Sequence, residues 1–158
     1  MPSYPKIKNI NRIIDANINR TKEGLRVCEE IARFILNSRT LTSEFKKARH
    51  KIDGIIRRLP AAGDLLEARK SLADVGRDIY INELKRRDLR DIFFANIQRV
   101  KESVRVLEEF SKLINKNLAV EFKKTRYAIY EVEKKAAKRI SALRNLSPFA
   151  EDHTHARG

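Results

Sequence analysis

Between Ile13 and Ile35 two stripes of mainly apolar positions run side by side. The first is Ile14, Ile18, Thr21, Leu25, Cys28, Ala32 and Ile35, at alternating steps of four and three. Such steps keep one face of an α-helix turned towards a core. The second is Ile13, Asn17, Arg20, Gly24, Val27, Ile31 and Phe34. It is apolar at both ends but carries Asn17 and Arg20 in its middle, with Gly24 leaving space beside them. Polar groups next to a core stripe need partners, because an unpaired buried charge is costly. The pattern predicts one long helix from Asn9 or Asn11 to about Leu36. Its outer face carries Glu23, Arg26, Glu30 and Arg33 at i, i+3 and i+4 spacing, a ladder of surface ion pairs worth roughly 0.2–0.5 kcal/mol each.

The pattern then returns. ANINRTKEGLRVCEEIARFI, from Ala16 to Ile35, reappears from Ala95 to Ile114 as ANIQRVKESVRVLEEFSKLI, offset by 79 residues. Asn17/Asn96, Arg20/Arg99, Glu23/Glu102, Arg26/Arg105, Glu29/Glu108 and Glu30/Glu109 are identical pairs. A second echo pairs FKKAR at Phe45–Arg49 with FKKTR at Phe122–Arg126, offset by 77. The chain reads as an internal duplication. A bare helix core would not require the polar residues to recur with the apolar ones.

Two helical hairpins follow from this. Asn37 to Thr42 reads as a turn, with Thr42 or Ser43 capping a helix to about Leu59. Phe45, Ala48, Ile52, Ile56 and Leu59 face inward on it, and Pro60-Ala-Ala-Gly63 ends it. A third helix is expected from Asp88 to Asn115. A fourth is capped by Asn117, runs from Leu118 to about Leu146, and has the stripe Leu118, Phe122, Thr125, Ile129, Val132, Ala136, Ile140, Leu143. Residues 64–86 have no counterpart in the repeat. There Asp64 is placed to cap a short helix, LLEARKSLA, followed by the polar turn Asp74-Val75-Gly76-Arg77-Asp78. Gly76 is expected to permit a positive φ or a close backbone approach to a ligand. The expected fold is all-α: a four-helix-type bundle built from two duplicated hairpins with a short helical insert. The whole chain, 1–158, reads as a single helical domain, with repeats at about 9–60 and 88–146, a prolyl arm over 1–8 and a tail over 147–158.

Composition sharpens the picture of partners. Thirty-five Lys and Arg against 21 acidic residues give a net charge of +14. That excess favours nucleic acid, an acidic membrane surface or phosphorylated small molecules. No apolar run approaches the ~18 residues of a membrane span, so no spanning segment is expected, and no membrane partner is expected either. A base-stacking surface is poorly supported, with no Trp and most aromatics at core positions. Nucleic acid is therefore disfavoured. The single Cys28 sits on the apolar stripe as a small hydrophobe, consistent with a cytoplasmic setting.

Several familiar chemistries are absent. There is no GxxxxGK phosphate loop and no GxGxxG. His50, His153 and His155 form no zinc spacing with Cys28. What remains is a set of Arg and Asn residues on the duplicated helices, plus the insert. Arg presents a planar, permanently charged fork suited to phosphate. Arg20, Arg26, Arg99 and Arg105, with Asn17, Asn96, Arg49 and Arg126, are expected to line a cleft between the hairpins. Arg69, Asp74 and Gly76 would close it. Asp74 or Asp78 would hold Mg²⁺ on a bound polyphosphate.

RIIDANINRTKEGLRVCEEIARF, ARKSLADVG and ANIQRVKESVRVLEEFSKL with FKKTRYAIYEVEK occur in this order. They resemble the helical domain fused ahead of the barrel in cyanobacterial-type thiamine-phosphate synthases (thiamine-phosphate pyrophosphorylases). The resemblance covers roughly residues 10–135. It implies an alternative hydroxymethylpyrimidine-phosphate kinase using ATP and Mg²⁺. In such a kinase Asp74, a carboxylate outside the Glu/Arg ladders and just before Gly76, is expected to be the catalytic, metal-side residue. A (β/α)₈ barrel needs about 200 residues or more, and no segment here alternates strand with helix. The chain is therefore expected not to make thiamine phosphate by itself. The alternatives are a non-catalytic partner or regulatory domain of the synthase, a basic nucleic-acid-binding helical protein, and a helical mutase-like enzyme. A homodimer is compatible with each.

Overall fold

The computed structural model describes residues 7–60, 62–78 and 84–143. Residues 1–6 of the expected arm, the Ser147-Pro148 stop and the tail lie outside the described residues, while Ile7 and Lys8, also expected in the arm, belong to the first helix. Among the described residues every regular element is helical. The chain gives α1 (Ile7–Glu30), α2 (Arg39–Arg57), α3 (Leu65–Ala68), α4 (Leu89–Ser111) and α5 (Lys116–Ser141). No described helix is long and apolar enough to cross a membrane.

The four long helices form a ring of neighbours. α1 packs on α2 and α4, α5 packs on the same two, and α3 rests on α1. The stripes explain this. Ile14, Ile18, Thr21, Leu25, Cys28 and Ala32 of α1 and its continuation are buried, as are Leu118, Phe122, Thr125, Ile129, Val132, Ala136 and Ile140 of α5. Phe45, Phe93 and Phe122 are fully enclosed. At the crossing of α1 and α4, Thr21 Oγ1 and Ser103 Oγ share a 2.7 Å hydrogen bond. The space beside Gly24 belongs to this crossing. A Cβ there would lie 2.6 Å from Val100 Cγ2 and 3.0 Å from the Asn96 carbonyl oxygen.

Several boundaries differ from the sequence expectation, each for a local reason. α1 does not continue as an α-helix to Leu36. It passes into a π-helical turn, Ile31–Ile35, with Leu36 N–H donating to Ile31 O at 3.0 Å. The wider turn adds a residue, so Leu36 takes the buried position and Ile35 is left 46% exposed. α2 is capped by Ser38, not Thr42 or Ser43: its Oγ accepts from Leu41 N–H at 3.3 Å. Thr42 instead donates to the Ser38 carbonyl. On α2 the enclosed residue is Ile55, while Ile56 is half-buried. α5 is capped by Asn115, two residues before the expected Asn117, with Oδ1 accepting from Asn117 N–H and Leu118 N–H. α4 starts as expected, on Asp88. Among the described residues of the insert there is one α-turn, because the chain becomes extended at Arg69 (φ −63°, ψ 129°), and Asp64 makes no side-chain cap.

Candidate functional site

The first half of α1 and the insert enclose a pocket of about 600 Å³. Burial of Leu65 and Ala68 against α1 fixes α3. The extended backbone at Arg69 then carries that side chain back across the helix. Arg69 Nε and Nη2 donate to Asp15 Oδ2 and Oδ1 at 2.8 and 2.9 Å, a two-pronged ion pair joining residues 54 apart. The Asp15 hydrogen bonds raise the Arg69 pKa. Behind Arg69, Lys70, Ser71 and Asp74 complete one wall. Asn9, Arg12, Asn17, Asn19 and Arg20 supply the other, with Ala16 keeping the floor low. Arg12, Arg20 and Lys70 give the pocket cationic heads beyond the Asp15–Arg69 pair. Its amides offer both donors and acceptors. Such a wall suits an anionic, hydrogen-bonding small molecule.

The sequence-predicted residues divide into three groups. Asn17, Arg20, Arg69 and Asp74 meet in this pocket. Asn17 is buried; its Nδ2 donates to Ile13 O at 2.8 Å, and its Oδ1 accepts weakly from Arg20 at 3.4 Å. Asn96 Nδ2 repeats the bond to Ile92 O at 2.8 Å, but Asn96 and exposed Arg99 lie on α4, outside the pocket.

Arg26, Arg49, Arg105 and Arg126 do not line one cleft with Arg20. They clamp two buried glutamates. Glu29 takes Arg49 at 3.0 Å and Arg26 at 3.5 Å; Glu108 takes Arg126 at 2.9 Å and Arg105 at 3.0 Å. Tyr130 adds its hydroxyl to Arg126. The Glu108 hydrogen bond, then the Tyr130 one, raise the Arg126 pKa. A carboxylate buried between two helices needs such partners, which explains why the polar residues recur.

In the third group, Gly76 and Asp78 are exposed and outside the pocket. Gly76 does not have a positive φ. Its N–H donates to Asp74 Oδ1 at 2.9 Å, a local turn that any residue with an N–H could close. Among the described residues no group of three His, Cys, Asp or Glu is placed to hold a metal ion. Asp74 keeps one carboxylate oxygen outside the Gly76 hydrogen bond. Mg²⁺ brought in on phosphate oxygens needs only one or two protein carboxylates, so Asp74 fits that use.

Asn9, Arg12, Asp15, Lys70 and Ser71 were not marked by the repeat, because they are where it fails. The positions 79 residues after Asn9, Arg12 and Asp15 hold Asp88, Asp91 and Phe94. Asp88 caps α4, and Asp91 binds Arg87 at 2.9 and 3.2 Å, which holds its carboxyl down to about 2. The α4 face thus lacks both the cation and the carboxylate that receive the insert. The departures from the repeat were the available signal.

An all-helical protein with a cation-lined pocket on its first helix is the class that fold and site define. The chain belongs to the ThiD2 family, which it matches over residues 12–135. It is similar to the thiamine-phosphate synthase of Synechocystis sp., 40% identical over 125 residues, covering 78% of this chain and 35% of that protein. The thiamine-phosphate synthase of Nostoc punctiforme is 38% identical over 78% of this chain and 34% of its own length. That of Rhodopirellula baltica is 34% identical over 86% of this chain and 36% of its own. The chain spans about a third of the length of the curated relatives it matches. No solved structure matches it.

Proposed function

We propose that this chain phosphorylates hydroxymethylpyrimidine phosphate in thiamine biosynthesis, in the pocket between α1 and the insert. The observation that carries the reading is the convergence of Arg12, Arg20 and Lys70 on one pocket that also holds Asp74 and the Asp15–Arg69 pair. Family membership and the names of the relatives support the pathway. In the reaction a phosphate oxygen of the pyrimidine phosphate forms a bond to the γ-phosphorus of ATP. The bond from that phosphorus to the β,γ-bridging oxygen breaks, and ADP leaves with the bond's electron pair. Positioning and charge neutralisation account for most of phosphoryl transfer. Arg12 and Arg20 would bind the substrate phosphate, with Lys70 beside the Arg69–Asp15 pair facing it from the insert. Asn9, Asn17 and Asn19 supply groups for the heterocycle. Asp74 would hold Mg²⁺, which when bound offsets the charge of the nucleotide phosphates.

The test is turnover by the purified chain with ATP, Mg²⁺ and hydroxymethylpyrimidine phosphate, following ADP and, by phosphorus NMR, the pyrimidine diphosphate. Both products should appear together, and Asp74→Asn should slow them at least ~10²-fold while leaving the fold intact. A second reading, a non-catalytic synthase-type domain, is favoured by the four Arg residues engaged with Glu29 and Glu108. Binding of the pyrimidine phosphate with no ADP formed would select it.

A further inference from the structure

The recurring FKKAR and FKKTR segments are only partly absorbed by the ion-pair clusters. Phe45 and Phe122 enter the core, and Arg49 and Arg126 reach Glu29 and Glu108. The second lysine and the following small residue of each segment do something else. Lys47 and Ala48 of α2 and Lys124 and Thr125 of α5 face the same groove, of about 490 Å³. Ala48, Thr125, Ala128 and Val132 make its floor. Lys47 and Lys51 rim it on α2, Lys124 and Lys135 on α5. On α5 the lining runs from Lys124 to Lys135, about 16 Å at 1.5 Å per residue. Glu44 is held by Lys135 at 2.7 Å through Oε1, while Oε2 is closed off from solvent with no donor. None of these residues lines the pocket on α1.

We propose that the α2–α5 groove docks an acidic amphipathic helix of a partner protein. The small side chains Ala48, Thr125 and Ala128, set between lysines on both helices, admit a helix laid along the α2–α5 seam. The four lysines outnumber Glu44 and Glu131 and set the sign of the partner's flanks. A second copy of this chain is disfavoured as the occupant, since each carries a net charge of +14. The proposal does not depend on phosphotransfer, because the two cavities share no lining residue.

Fluorescence anisotropy on the whole chain tests it with three labelled peptides of about 18 residues. One is a helix with an Ala/Leu stripe flanked by Glu, one has the same stripe flanked by Lys, and one is polyglutamate. The Glu-flanked helix should bind saturably and the other two should not. Lys47→Glu with Lys124→Glu should weaken it at least ~10-fold, whereas Lys46→Glu with Lys123→Glu, the same charge change outside the groove, should cost less than ~3-fold. Ala128→Trp, which fills the groove without changing charge, should also weaken binding at least ~10-fold. Circular dichroism checks that each variant remains folded. Polyglutamate binding as tightly as the helix, equal losses from the two lysine pairs, or no saturable binding would overturn the proposal. Displacement of the helix by inorganic pyrophosphate acting on Lys47 and Lys124 would make this a small-anion site and also overturn it.

Discussion

Gly24→Ala offers a sharp test of how α1 and α4 meet. The new Cβ would sit 2.6 Å from Val100 Cγ2 and 3.0 Å from the Asn96 carbonyl oxygen. Val100 is fully buried, so its side chain has little room to turn, and a backbone oxygen cannot move without its helix. Overpacking of this kind costs about 1–3 kcal/mol. The helix-propensity gain of Ala over Gly, about 0.8–1 kcal/mol, offsets part of it. The upper end applies here because one contact is backbone, leaving a net loss of about 2 kcal/mol. At 2–4 °C per kcal/mol for a chain of this size, the melting temperature should fall by about 4–8 °C. Gly54, in the interior of α2, has nothing within 4 Å of the same added atom. Gly54→Ala should therefore gain about 0.5–1 kcal/mol and raise the midpoint. Thermal and urea unfolding followed by helical circular dichroism give both signs. A Gly24→Ala protein as stable as Gly54→Ala would refute the close crossing of α1 and α4.

Glu108→Ala strips the buried carboxylate from Arg126, whose side chain is 12% exposed, and should cost about 3 kcal/mol or more in urea unfolding. Glu109→Ala, on an exposed pair with Arg105 and Lys112, should cost less than about 1 kcal/mol. Equal losses would contradict the burial argument. Burial pushes the Cys28 thiol up to about 12, with Glu133 adding to it. The folded protein therefore keeps its thiol proton where the unfolded chain loses it. The stability this contributes is complete below the ordinary thiol value, about 8.5, and is lost as pH rises towards 12. A disulfide reagent at pH 8 should label Cys28 only as the protein unfolds, and rapid native labelling would count against it. Asp15→Ala frees Arg69 and should speed hydrogen exchange over residues 69–78 while leaving α4 protected. Unchanged exchange there would mean that the ion pair does not hold the insert.

The helices were legible because burial of one helical face imposes its period on the sequence. The stripe Leu118, Phe122, Thr125, Ile129, Val132, Ala136, Ile140 is buried residue for residue, and Leu143 at its end is partly buried. Caps were less legible: Ser38, Thr42 and Ser43 are all chemically able to cap α2, and three-dimensional packing of Leu41 chooses Ser38. The π turn at Ile31–Ile35 changes the period itself, so a regular stripe misplaces Ile35. Recurrence showed that the Arg residues matter but not to what. The same Arg26 spacing serves a ladder to Glu30, a clamp on Glu29 or an open cleft, and only the position of Arg49 decides. Asp15 and Arg69 meet across 54 residues, with no local signal to join them.

In the proposed function the small-molecule site lies on α1 and the insert, and not at the repeated arginine clusters. Isothermal titration of hydroxymethylpyrimidine phosphate into Arg20→Ala and Arg105→Ala, beside the unmodified chain, tests it directly. Arg20 lines the pocket, whereas Arg105 helps Arg126 hold Glu108 and can be lost with Arg126 still in place. Arg20→Ala should weaken binding at least ~10-fold, and Arg105→Ala should stay within about twofold. Loss of binding in Arg105→Ala with Arg20→Ala unaffected would contradict the account and move the site to the clusters.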